Sequence, residues 1–106
     1  MITIEELKKL NTHKTIVITE HARVRLVERN ISAADIINGI DTGEIIKQYE
    51  DDKPFPSCLL LGYTMKKMPI HMVISHDGEM LHLITAYYPD PEVWEADFKI
   101  KKEVSI

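Results

Sequence analysis

The chain holds one cysteine, so no internal disulfide can brace it. That residue, Cys58, sits in the apolar block Cys58-Leu59-Leu60-Leu61, which marks it as a small buried hydrophobe and not a nucleophile. The same short block is the longest apolar run, far below the length a membrane-spanning helix requires. The opening Met-Ile-Thr-Ile-Glu-Glu has neither a basic leader nor an apolar export segment, leaving a cytoplasmic location as the expectation. Positive charge is not in excess: 13 Lys and Arg face 17 Asp and Glu, a formal net charge of −4. This argues against a broad electrostatic surface for nucleic acid and leaves room only for a local basic groove. A glycine-rich phosphate loop, a nucleophile elbow and paired acidic motifs are also missing, which disfavours nucleotide hydrolysis and serine chemistry. His21, His71, His76 and His82 invite a metal, but none belongs to a His-x-x-x-His or Cys-x-x-Cys pair, so neither metal nor cofactor is expected.

What is present fits one ordinary domain over residues 1–106, 44% hydrophobic and 28% charged, with two layers around a modest core. Within residues 1–13, Thr3 followed by Glu6 reads as a capping box ahead of Ile4, Leu7 and Leu10 at helical spacing. Ile16-Val17-Ile18 reads as an edge strand or extended linker. Two helices then fill residues 19–43: one capped by Thr19 and ended by Asn30, the next opened by Ser32 with Asp35, presenting Ile36, Ile37 and Ile40, and stopped by Gly43. Over residues 44–88 the period changes to four β-rich runs, Glu44–Glu50, Ser57–Thr64, Ile70–His76 and Met80–Tyr88, which predict an antiparallel meander. Asp90 as cap and Pro91 at the first helical position predict a terminal helix over 90–98 with Trp94 and Phe98 packed down, then a lysine-rich tail over 99–106. The fold class is α+β, with N-terminal helices on a four-stranded antiparallel sheet and a short C-terminal helix.

Chemistry gathers first on the stretch 18–29, where a helix sets His21 and Arg25 one turn apart with Glu28 and Arg29 following. A histidine exchanges protons near neutral pH and an arginine fork matches phosphate oxygens. Metal-free RNA cleavage needs a base for the 2′-hydroxyl, a cation for the phosphorane and an acid for the departing oxygen; His21, Arg25 and His71 can fill these roles. The competing reading is an amphipathic helix whose Arg25 pairs with Glu28 and whose Arg29 meets a surface acid. Thr85 could bind a phosphate and Tyr87 could stack on a base or donate a proton, with Tyr88 placed equally well, although all three suit an ordinary strand. Register decides the set. A two-residue Asp77-Gly78 turn puts His71 with His82 and Tyr88, and a bulged three-residue loop puts it with Thr85 and Tyr87.

The order His21-Ala22-x-x-Arg25, Glu28-Arg29-x-Ile31-Ser32, Gly43-Glu44-Ile45-Ile46, Leu61-Gly62, His71-x-Val73 and Thr85-Ala86-Tyr87-Tyr88-Pro89 resembles the prokaryotic domain-of-unknown-function family 4258. That family is similar to the RelE-like group of the barnase, EndoU, colicin and RelE superfold. The resemblance implies a toxin of a type II toxin-antitoxin pair: a metal-independent endoribonuclease acting on messenger or ribosome-bound RNA, partnered by a zinc-finger antitoxin resembling MqsA. His21, Arg25, His71, Thr85 and Tyr87 are then the catalytic candidates and Arg29 and Tyr88 the substrate-binding ones. The alternative is a catalytically inactive protein-binding domain of the same fold.

Overall fold

The computed structural model describes residues 1–103; residues 104–106 of the expected tail lie outside the described residues. The chain runs α1 (Ile4–Lys9), β1 (Ile16–Ile18), α2 (Glu20–Glu28), α3 (Ala33–Asp41), β2 (Glu44–Tyr49), β3 (Ser57–Tyr63), β4 (Pro69–His76) and β5 (Leu81–Tyr87). The fold is α+β, but the sheet has five strands in the order β1-β5-β4-β3-β2. The expected four-stranded antiparallel sheet is corrected by β1. Its three β-branched residues run parallel to β5, Ile16 opposite Leu81 and Ile18 opposite Leu83, because the chain crosses over through α2 and α3 to the far edge and reaches β5 only after three antiparallel reversals.

The helix starts follow their caps. Thr3 and Thr19 accept from the backbone N–H groups of Glu6 and Ala22, and Ser32 with Asp35 forms a full capping box. Glu6 does not close the box expected at α1; its carboxylate is taken by His76 Nε2 at 2.7 Å, tying α1 to the end of β4. Asn30 ends α2 in the left-handed region at φ 56, a conformation asparagine tolerates.

One face of the sheet is covered by helices, α2 on β5 and α3 on β3. Ala22, Leu26, Ile36 and Ile40 bury against Cys58, Leu60, Ile70, Met72, Ile74, Leu81, Leu83 and Ala86. Each fully buried Leu or Ile contributes about 1.5–3 kcal/mol. Cys58 belongs to this core, where burial pushes its thiol up to about 12 and leaves it inert.

Residues alternating with these face the other side. His71, Val73 and Ser75 stand opposite Leu61, Leu59 and Ser57 on β3 and opposite Tyr87, Thr85 and His82 on β5. This register comes from neither hairpin expected. The loop is four residues, Asp77–Met80, between the paired His76 and Leu81, with the Asp77 carboxylate accepting from the N–H groups of Glu79 and Met80. Such a loop alone would place His71 beside Ala86. A bulge between Leu83 and Thr85 shifts the register by one, so the small Ala86 tucks under α2 and Tyr87 turns to His71.

The terminal helix expected over 90–98 does not form. Asp90 starts a single turn, its carbonyl accepting from the N–H groups of Val93 and Trp94, after which the chain doubles back. Trp94 bridges to Lys101, and Phe98 adopts φ 57 at the bend. Residues 89–103 thus form a strap across the open face. Its own turns and a bridge between its two limbs engage most of its backbone groups, and the Phe98 carbonyl is taken by His71 on the sheet, tertiary context overriding local propensity.

Candidate functional site

The strap and the open face enclose a cavity of about 250 Å³ lined by Lys47, Tyr49, Leu59, Tyr87, Trp94 and Lys101, with Ile46 and Lys99 completing the wall. Alternation on β2 puts Lys47 and Tyr49 on one side, the ammonium lying 5.4 Å from the ring centre. Lys101 lies 5.7 Å from the ring centre of Trp94. Lys99 is held by Glu44 at 2.9 Å, and that carboxylate raises the lysine's pKa. In a chain of net charge −4, three ammonium groups and three aromatic rings therefore converge on one small concavity.

His71 lies behind two of the lining residues, Tyr87 and Trp94, and is itself fully buried. Its Nε2 lies 2.7 Å from the carbonyl oxygen of Phe98, which can only accept, so Nε2 carries the proton and Nδ1 is free to accept from the Tyr87 hydroxyl at 3.2 Å. Trp94 stands perpendicular to the imidazole with ring centres 4.5 Å apart. Burial lowers the His71 pKa below its ordinary value, and the Phe98 carbonyl opposes this only in part. The Tyr87 phenol is raised by burial and by neighbouring Tyr49, while Arg29 pulls the other way. Tyr87, His71 and Phe98 thus make a hydrogen-bonded row that opens on the cleft at the tyrosine. A base oriented by a carbonyl and coupled to a hydroxyl is an arrangement suited to proton transfer.

The histidine and arginine of α2 do not join it. α2 packs on the helix face through Ala22 and Leu26, and His71 points to the opposite side of the sheet. His21 is exposed in the first turn of α2, and Arg25 pairs with Glu28 at 3.0 Å, as the amphipathic-helix reading expects. The expected His21, Arg25 and His71 constellation is thereby corrected: the sheet separates its members. Arg29 comes closer. It caps α2 and donates from Nη1 to the carbonyl oxygen of Ala86 at 2.7 Å, covering the edge of β5 beyond the end of β1, next to Tyr87. Thr85 shares the open face opposite Val73, and Tyr88 lies exposed just past β5, outside the cleft lining.

Sequence reasoning missed Lys47, Tyr49 and Trp94 as site residues and assigned Lys99 and Lys101 to a tail. The i,i+2 spacing of Lys47 and Tyr49 on a strand was a usable signal; the return of the strap onto the sheet had none.

The segment from residue 18 to residue 88 matches the model of the family described as domain of unknown function (DUF4258), and the chain belongs to that family. The match takes in β4 with His71 and β5 with Tyr87 before it ends, and the strap follows. No curated protein and no solved structure matches the chain. Among the described residues, no helix is long and apolar enough to cross a membrane.

Proposed function

We propose that the cleft binds RNA and cleaves its backbone without a metal, and the observation that carries this reading is the Tyr87–His71–Phe98 row ending among Lys47, Lys99 and Lys101. The chemistry is a transesterification. The ribose 2′-hydroxyl gives its proton to the Tyr87 oxygen as the tyrosine passes its own to His71 Nδ1, and the Phe98 carbonyl steadies the imidazolium that results. The new bond joins the 2′-oxygen to phosphorus, the bond to the 5′-oxygen breaks, and a lysine ammonium protonates that departing oxygen. The products are a 2′,3′-cyclic phosphate and a 5′-hydroxyl. Lys47 and Lys101 neutralise charge on the phosphorane, and Tyr49 and Trp94 offer faces on which unpaired bases can stack.

In this reading the domain is the toxin of a type II pair acting on messenger or ribosome-bound RNA, held in check by an antitoxin of zinc-finger type, the setting that the expected kinship of the DUF4258 family with RelE-like toxins implies. A catalytically inactive protein-binding domain is the second reading. The depressed basicity of His71 favours it, because a weak base is a poor acceptor for the 2′-hydroxyl proton.

The test is incubation of the purified protein with single-stranded RNA in excess chelator, with the product ends mapped. Cleavage is expected to fall about 10²- to 10⁴-fold in Tyr87→Phe, the range for loss of a proton-transfer group, and to persist in His21→Ala. RNA left intact by the folded protein refutes the nuclease, and a loss confined to His21→Ala moves the centre to α2.

A further inference from the structure

We propose that the β3–β4 turn is a docking site for an acidic peptide segment of another protein, anchored by apolar side chains. This site is independent of the RNA reading. Tyr63, Met65 and Met68 are 41%, 63% and 52% exposed at one tip of the sheet, where a soluble surface would ordinarily carry polar groups. Tyr63 and Met65, with Asn38 of α3, Thr42 just past its end and Thr64 and Lys67 of the turn, line a shallow groove of about 550 Å³, and Met68 stands exposed beside it.

The tip is rigid. Thr64 N–H donates to the Met68 carbonyl at 2.9 Å, Met68 N–H to the Thr64 hydroxyl at 3.1 Å, and Lys67 N–H to the Thr64 carbonyl at 2.9 Å, with Lys67 at φ 66. From α3, Asn38 donates to the carbonyls of Tyr63 and Thr64, and Asp35 accepts from Met65 N–H at 2.9 Å. The backbone is therefore fixed before any partner arrives, which reduces the ordering cost of binding. Methionine adds adaptable apolar contact on that fixed frame.

Charge selects the occupant. Lys66 and Lys67 lie between the two methionines, both exposed, and neither enters an ion pair among the described residues. Lys66 is close enough to Asp35 to help lower its pKa, but the oxygens of that carboxylate accept from the N–H groups of Ser32 and Met65. On a molecule of net charge −4 an acidic segment is repelled by most of the surface and drawn to this pair or to the lysines of the strap cleft, and the exposed methionines give it apolar anchorage only at the tip.

The probe is a fluorescent peptide alternating Glu and Leu, read by anisotropy, against a Lys and Leu peptide of equal length and a single-stranded RNA of equal charge. Saturable binding of the acidic peptide is expected, with about a tenfold loss of affinity in Met65→Ser/Met68→Ser and again in Lys66→Glu/Lys67→Glu. Both pairs are exposed, and unchanged far-ultraviolet dichroism verifies that the fold survives. No binding at millimolar peptide, equal binding of the basic peptide, or unchanged affinity in both double variants overturns the proposal. RNA bound at the tip in place of the peptide also overturns it.

Discussion

Replacing His71 by Leu tests what holds the strap on the sheet. The substitution keeps an apolar volume on the open face but removes Nε2–H, the donor to Phe98, and Nδ1, the acceptor of the Tyr87 hydroxyl. At 2.7 Å the first bond is short, and a covered carbonyl left without its donor costs about 1–3 kcal/mol. The second, at 3.2 Å, is longer, and the half-buried phenol can turn to water in the cleft, so its loss adds about 0.5 kcal/mol. Losing about 2 kcal/mol lowers the docked-to-open ratio of the strap roughly thirtyfold. Trp94 is the single tryptophan of the chain and sits in the strap itself, so its fluorescence reads this equilibrium directly. In His71→Leu its emission is expected to move to the red and its quenching by acrylamide to rise, while far-ultraviolet dichroism stays native because the core lies across the sheet. An unchanged Trp94 spectrum and quenching constant would show that the Phe98 carbonyl is not what pins the strap, and would remove the basis for the oriented-base argument as well.

Two further outcomes follow from the same geometry. The His71 pKa is depressed in the fold below its ordinary 6.5, so at lower pH the unfolded chain takes up the proton first. Its contribution to stability is complete above about 6.5 and declines as pH falls from there toward the folded pKa; urea titrations across this window should show that slope in the native protein and a flatter one in His71→Leu. A Cβ placed on Gly62 would overlap the Gly39 carbonyl oxygen and stand 2.8 Å from the Gly39 Cα, backbone that only a shift of α3 can clear. Gly62→Ala is expected to cost about 3 kcal/mol or more, and Gly39→Ala, whose Cβ meets the flexible end of Met72 at 2.9 Å, about 1 kcal/mol, in chemical denaturation; equal costs would contradict the close approach.

Local signals in the chain were reliable where the structure is local. Thr19 and Ser32 cap the helices they were expected to cap, and the four β-rich runs fall within a residue or so of β2 to β5. Two features depended on distant partners and were not legible. Ile16–Ile18 is the edge strand that its β-branched run allowed, but its parallel pairing with β5 carried no local signal, and Trp94–Phe98, spaced like a helix, is bent back by contacts with a histidine far away in sequence. The face of Tyr87 carried a weak signal. Leu81, Leu83 and Ala86 break the two-residue alternation by one, which is the mark of a bulge, but Ile84 among them hides it. His21 and Arg25 illustrate the converse: a suggestive one-turn spacing on a helix says nothing about which side of the sheet that helix will cover.

The division between the matched family segment and the strap bears on how the cleft works. His71, Tyr87, Lys47 and Tyr49 lie within residues 18–88, whereas Trp94, Phe98, Lys99 and Lys101 come after it. The sheet alone would present His71 to water, able to titrate near its ordinary range, beside a tyrosine and one lysine. The strap buries the imidazole, fixes its tautomer through Phe98 and brings two more ammonium groups to the rim. Those contributions push in opposite directions for catalysis, since burial weakens the base while the added charge favours a developing phosphorane. In the proposed mechanism, proton transfer through Tyr87 would reconcile them: the phenol would meet the substrate, and the imidazole behind it would need only to hold a proton transiently against a carbonyl already in place. A strap lifted from the sheet would reverse these effects, leaving a stronger base and a poorer anion site.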